Sequence, residues 1–290
     1  MRIDLHTHSR ASDGTQSPAE LVHAAVAADL DVLALTDHDT AAGWDEAAGA
    51  ASAAGLRLVR GMEISTRFDG QGVHLLAYLP DPSYPPLAAE LERILEGRRS
   101  RVPGILEGLR GAGISLTEAD VARVSGHSAA SGRPHVADAL VALGVVADRT
   151  EAFDRLLSPG RPGYVDRYAA PLRDMIGLVA AAGGVSVVAH VWGRRHDESP
   201  DGRALAELAG LGLAGIEVDH QDHSPAARER LRGIARELDL VVTGSSDHHG
   251  DGKVDHDLGC HTTAPEQLER LLDLAAAAAL ASGRDAPGPV

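Results

Sequence analysis

The sequence predicts an α/β protein, a small (β/α) barrel carrying a helical insertion. Three observations support this. Seven short apolar, β-branched runs recur along the chain, Ala-rich amphipathic segments lie between most of them, and residues 82–170 carry almost no strand signal. Strands alternating with helices argue for parallel βα units. About seven strands in roughly 200 residues suit a barrel better than an open sheet.

RIDLHTH reads as the first strand and PAELVHAAVAADL as the helix after it. VLALTDH and GWDEAAGAASAAG repeat that strand–helix order. LRLVRGMEIS and GVHLLAYL are then separated only by FDGQG, where Gly70 and Gly72 allow a tight reversal, so a hairpin is expected. Pro82, Pro85 and Pro86 mark entry to the insertion. Within it PLAAELERILEGRRSRVPGILEGLRGAGI, TEADVARVSG, RPHVADALVALG and TEAFDRLLS read as helices, and SPGRPGYVDR marks the exit. The barrel resumes with DMIGLVAAAGG (helix), VSVVAHV (strand), GRALAELAGLG (helix) and GIEVDH (strand). PAARERLRGIARELD (helix), LVVTGSSD (strand) and APEQLERLLDLAAAAALAS (helix) complete it. The expected division is residues 1–81 and 171–290 for the barrel, with 82–170 capping one end. No GxGxxG turn follows the first strand, which argues against a dinucleotide site.

Composition narrows the function. A formal charge of −15 weighs against non-specific nucleic-acid or membrane binding, which needs a basic face. A phosphorylated substrate stays compatible, because bound cations reverse the sign locally. The single cysteine, Cys260, excludes an intramolecular disulfide and a Cys-based zinc finger. With no apolar leader and no long uncharged apolar run, a soluble cytoplasmic protein is expected, with no membrane contact and no stable protein partner.

The 15 histidines fall where a barrel would gather them. His6 and His8 are two apart on one strand and share a face. Asp37 and His38 end the second strand, Glu63 the third, His190 the VSVVAH strand, and Asp247, His248 and His249 the last. Barrel active sites are built at these carboxyl ends. The hairpin would return His74 to Glu63. Imidazole and carboxylate without thiolate suit Mn²⁺ and Fe²⁺ at least as well as Zn²⁺. So many ligands exceed the needs of one ion, so two or three are expected, with Glu63 a candidate bridge. Clustered cations suit phosphoryl transfer, lowering the pKa of water and holding phosphate oxygens. Lys253, the only lysine, lies past the last strand motif and is not expected to serve as the carboxylated bridging lysine of the amidohydrolase plan. Phosphoester chemistry is therefore preferred over deamination or lactone opening.

DLHTHSRASDGT, ALTDHDT, GMEIS, HLLAY, VVAHV and GSSDHHG, in that order, resemble the PHP family, named for polymerase and histidinol phosphatase. The resemblance implies a distorted (β/α)₇ barrel with a trinuclear metal site. One metal would take His6, His8, Glu63 and Asp247. A second would share Glu63 and add His74 and His190, and a third would take Asp13, His38 and His249. The insertion's SGRPHVADALV and PGYVDR look like those of stand-alone PHP phosphoesterases, which include nucleoside 3′,5′-bisphosphate phosphatases and a 5′–3′ exoribonuclease. By that likeness Arg133 and His135 would grip substrate phosphate over the mouth. The chain departs from the family pattern at His248 and Asp219.

The remaining candidates carry blander alternatives. Asp37 is expected to orient a ligand histidine. His220, His223 and His248 are candidates for protonating the leaving oxygen. Arg194 and Arg195 either contact phosphate or form a solvated turn. His23, His127, His196, His256 and His261 are expected at the surface. The expected activity is removal of the 3′ phosphate from a nucleoside 3′,5′-bisphosphate, or hydrolysis of short RNA from its 5′ end. A cyclic-phosphate phosphodiesterase, a histidinol-phosphate phosphatase and a non-catalytic binding module are the alternatives.

Overall fold

The computed structural model describes residues 1–126, 128–193, 199–284 and 288. Its strands are β1 (Ile3–Thr7), β2 (Val32–Leu35), β3 (Arg57–Phe68), β4 (Gln71–Tyr78), β5 (Ala170–Pro171), β6 (Val185–Val188), β7 (Gly215–Asp219) and β8 (Val241–Gly244). All seven expected strands are present. Two-residue β5, which pairs with β3, is additional and too short to leave a sequence pattern.

The sheet runs β1-β2-β3-β4-β6-β7-β8. All neighbours are parallel except β4, which is antiparallel to both β3 and β6. That exception follows from the short Asp69–Gly70 turn, since only a crossover can join parallel strands. Beyond the ends of β8 and β1, Thr7 bridges His248, and the His8 N–H donates to the His248 carbonyl at 2.9 Å. The sheet thus nearly closes into a seven-stranded barrel.

Helices α1 (Pro18–Ala27), α2 (Trp44–Ala54), α8 (Leu172–Ala181), α9 (Gly202–Gly210) and α10 (Pro225–Glu237) pack against the strands. Alternate strand residues serve two cores, as the period of two requires. Leu33, Leu35, Leu58 and Ile64 pack with those helices. Val32, Ala34, Val59, Leu76 and Val187 pack with Ile3, Leu5 and the apolar stripe Leu268, Leu271 and Ala275 of α11 (Pro265–Ser282). Among the described residues no helix is long and apolar enough to cross a membrane.

Between β4 and β5 lie α3 (Pro85–Ser100), α4 (Val102–Gly111), α5 (Glu118–Ser125), α6 (Arg133–Ala142) and α7 (Arg149–Ala152), which continues into a π-helical turn at Phe153–Leu157. Leu87, Leu91 and Ile94 of α3 join the barrel's core. Ile105, Leu109, Val121, Val136, Leu140 and Leu157 form a core of their own. One difference from expectation bears on the site. β3 does not end at Glu63 but runs five residues further to Phe68, because its hairpin partner β4 continues the ladder.

Candidate metal centre

Glu63 is the hub. In the hairpin Ser65 pairs with His74, so His74 is the diagonal neighbour of Glu63 on one face. His74 Nδ1 lies 2.7 Å from Glu63 Oε1, and His190 Nε2 reaches the same oxygen at 3.0 Å from the turn after β6. The other oxygen, Oε2, faces His6 Nε2 at 3.4 Å, His8 Nε2 at 3.2 Å and His38 Nδ1 at 3.1 Å. Asp247, just past β8, points Oδ1 at His6 Nε2 and His8 Nε2, each at 3.4 Å.

The protonation pattern says what this arrangement needs. His6 Nδ1 lies 3.1 Å from Glu217 Oε1, and a carboxylate there takes the ring proton. In a neutral His6 ring Nε2 is then a lone pair, 3.1 Å from His8 Nε2 and facing two carboxylate oxygens. Burial opposes a charge on the ring, but Asp247, Glu217 and Glu63 outweigh it and hold its pKa well above the ordinary value, so the space calls for positive charge. Glu63 Oε2 is buried without a hydrogen-bond partner. Lone pairs converging in a buried space repel unless a cation lies between them. His249 is poised in the same way, its Nδ1–H directed at the Asp247 carbonyl at 2.8 Å and its Nε2 at Asp13 Oδ1 at 3.3 Å. The donor set therefore fits divalent metal ions. Four groups of ligand atoms, each within 4.8 Å of one another, could hold them: His6, His8, Glu63 and Asp247; His38, Glu63 and His74; His8, Asp13, His38 and His249; and His220, Asp247 and His256. All nine sequence-predicted ligands are brought together, with His190 joining through Glu63.

Asp13 arrives on the loop after β1. That loop folds so tightly that a Cβ on Gly14 would stand 2.4 Å from the His8 carbonyl oxygen, so only glycine fits there. Asp37 is not the histidine-orienting group expected. It accepts the Ser9 N–H at 2.8 Å and the Ser9 and Ser12 hydroxyls at 2.6 Å each, bracing the Asp13 loop from below. Burial pushes its carboxyl above the usual range.

Beside the cluster opens a cavity of about 480 Å³, lined by His74, His190, Ser65 and four arginines, Arg67, Arg101, Arg133 and Arg167, of which Arg67 is paired with Asp166 at 2.6 Å. Arg101, 6 % exposed, has no carboxylate within ion-pair distance among the described residues, and its Nε is buried without a partner. Burial, then Arg133, Arg167 and Arg98, push its pKa down to about 8. Arg167 donates to Ser65 Oγ at 2.7 Å. Behind it Arg98, 3 % exposed, binds Asp39 Oδ2 through Nε at 2.6 Å and Ser65 Oγ at 2.9 Å. Arg133 donates to the Leu157 carbonyl at 3.1 Å and lies over the Tyr164 ring. His135 does not line the cavity. It is buried in the first turn of α6, where its Nδ1 accepts the Gly132 N–H at 3.2 Å.

Two of the three leaving-group candidates are corrected by geometry. Both ring nitrogens of His223 serve the backbone: Nδ1–H donates to the Val218 carbonyl at 2.7 Å and Nε2 accepts the Trp192 N–H at 3.1 Å. His248 turns away, to the His256 carbonyl and Gln16 Oε1. His220 does face the centre. Its Nδ1 accepts the Asp222 N–H at 3.1 Å, so Nε2 carries the proton and lies 3.3 Å from Asp247 Oδ2. His256, expected at the surface, is 5 % exposed beside His220. Asp219 pairs with Arg232, away from the centre. Arg194, Arg195, His127 and His196 lie outside the described residues.

Sequence reasoning missed Glu217, Arg98, Arg101 and Arg167. Glu217 sits mid-strand in GIEVD, accepts from the His190 N–H at 2.7 Å and braces His6. Burial raises its carboxyl, but His6 above all outweighs that and brings it to about 2. An acidic residue inside an otherwise apolar strand was the available signal. Arg98 and Arg101 left none, because GRRSR on a helix reads as a solvated basic run, whereas Arg167 ends PGYVDR, a segment already singled out but not assigned a role.

Comparison with known proteins agrees with this geometry. The PHP domain model matches residues 4–157. The chain is 36 % identical over 260 residues to a 3′,5′-nucleoside bisphosphate phosphatase of Chromobacterium violaceum, covering 90 % of this chain and 91 % of that one. It is also 36 % identical to a 5′–3′ exoribonuclease of Haemophilus influenzae, over 86 % of this chain and 90 % of the other. A solved structure described as a metal-dependent phosphoesterase, from Bifidobacterium adolescentis, superposes with a TM-score of 0.89 at 36 % identity, covering 94 % of this chain and 96 % of that one.

Proposed function

The chain belongs to the PHP family, and from that premise we propose that it is a metal-dependent phosphoesterase removing the 3′ phosphate of a nucleoside 3′,5′-bisphosphate. The observation that carries the reading is the junction of two features. A carboxylate–imidazole cluster built for cations opens directly into a cavity with an arginine excess. A substrate with one phosphate would use the first; one with two phosphates uses both. Arg101, Arg133 and Arg167 would bind the phosphate that is not cleaved, by charge-assisted hydrogen bonds. Residues 82–170, which supply Arg101, Arg133 and Arg167, would cap the mouth.

The clustered imidazoles and carboxylates would hold divalent cations, Mn²⁺ by preference, which would supply a nucleophile from water at neutral pH and neutralise charge at phosphorus. Glu63, which belongs to two of the ligand groups, would be shared between cations, Glu217 holds the His6 tautomer, and Asp37 fixes the loop that presents Asp13. His220 Nε2–H is the one candidate donor that faces the centre. The similarity to an exoribonuclease supports a second substrate of the same kind, short RNA hydrolysed from its 5′ end. Mn²⁺-loaded protein is expected to release inorganic phosphate from adenosine 3′,5′-bisphosphate, and His8→Ala to lose that activity. Failure to turn over any phosphoester with Mn²⁺, Zn²⁺ or Fe²⁺ would overturn the assignment.

A further inference from the structure

Lys253 is the only lysine among 27 Lys and Arg residues, and its Nζ rests on Oδ2 of Asp247. The loop that brings it there is tied at both ends. The Thr15 N–H donates to the His249 carbonyl at 3.0 Å, and the Asp251 N–H to Thr15 Oγ1 at 2.9 Å. Further along, His256 Nδ1–H donates to the Ser246 carbonyl at 2.6 Å, and His248 Nδ1–H to the His256 carbonyl at 2.8 Å. Gly250 turns at φ +63, and a Cβ there would meet Thr15 Oγ1 at 2.1 Å. The ammonium is thus delivered by a built loop.

The two oxygens of Asp247 have different company. Oδ2 has Lys253 Nζ and the proton-bearing His220 Nε2. Among the described residues Oδ1 faces the imidazole nitrogens of His6, His8 and His249. We propose that Lys253 is a positioning residue for the metal centre: with His220 it occupies Oδ2 of Asp247 and so commits Oδ1 alone to the cations. A compact ammonium suits this task, since it donates to one oxygen, whereas a guanidinium fork tends to span both. The inference rests on the metal-dependent reading above. It adds that the Lys253–Asp247 pair persists when metal is bound.

Two measurements test it. Mn²⁺ affinity, read by chelator competition and elemental analysis, is expected to fall about tenfold or more in Lys253→Met, the loss usual when a group orienting a metal ligand is removed. Lys253→Arg is expected to restore part of it. Thermal unfolding of each chelator-treated protein checks folding. Because Lys253 is the only side-chain amine, acylation by an amine-reactive reagent, followed by peptide mass spectrometry, reports on Nζ separately from the N-terminus. Labelling of Lys253 in the wild-type protein is expected to be slow and no faster after Mn²⁺ loading. Unchanged affinity in folded Lys253→Met, or labelling that accelerates on Mn²⁺ loading, would overturn the proposal while leaving the phosphoesterase reading intact. A wild-type protein that binds no divalent metal would overturn both. Should Lys253→Met not fold, the labelling result decides.

Discussion

At the residue scale, buried charges are matched one to one in some places and left in excess in others. Asp39 and Arg98 are a matched pair, both buried, with Ser65 closing the bonds on each side. Burial alone would raise the Asp39 carboxyl; Arg98 first, then Arg167, hold it below its ordinary value. Removing one member of such a pair strands the other charge. Asp39→Asn is therefore expected to cost about 3–5 kcal/mol in urea unfolding. The pH dependence follows from the same shift. A carboxyl depressed in the folded state contributes its full stability above about pH 4, its ordinary value, and loses it as pH falls towards the folded value. Stability of the wild-type protein is expected to fall more steeply below that pH than that of Asp39→Asn.

At the scale of elements, the joint between α3 and α4 carries Arg98 and Arg101 three residues apart, both turned inward. Arg98 has its carboxylate. Arg101, facing the cavity, does not, so an anion would supply the missing partner. One charge-assisted hydrogen bond is worth about 1.5–3 kcal/mol, which converts to roughly 10- to 100-fold. Arg101→Met is expected to raise KM for adenosine 3′,5′-bisphosphate by that factor and to change hydrolysis of a substrate with one phosphate far less. Equal loss for both substrates would place Arg101 at the scissile phosphate instead. Elements of this kind also mark where sequence reading stops. The strands were legible because VLAL, VSVV and GIEV are short, apolar and β-branched, and His6, His8, His38 and Asp247 could be assigned to their ends. The true end of β3 was not, because ladder length is decided by the partner strand. Nor were Arg98 and Arg101, whose inward direction is set by the packing of α3 on the barrel rather than by any local pattern.

Across the whole molecule, ligands from residues 6 to 249 meet at one point, so the centre ties the first strand to the last. His8 and the loop after β8 are joined there by a backbone hydrogen bond and by the shared approach of His8, Asp247 and His249 to one another. Cations held between these groups compensate buried carboxylates in a chain whose net charge is already −15. An ion that binds only the folded state adds RT ln(1 + [L]/Kd), about 2.7 kcal/mol at a hundredfold excess over Kd. Chelator treatment is accordingly expected to lower the midpoint of thermal unfolding, and Mn²⁺ to restore it. Inorganic phosphate should raise it further in the wild-type protein. In Arg101→Met the Mn²⁺ effect is expected to persist while the part of the phosphate effect due to the cavity is lost, because Arg101 lines the cavity but belongs to none of the ligand groups. If chelation left the midpoint unchanged, the barrel would be closing without cations, and the convergence of lone pairs at Glu63 would need another explanation.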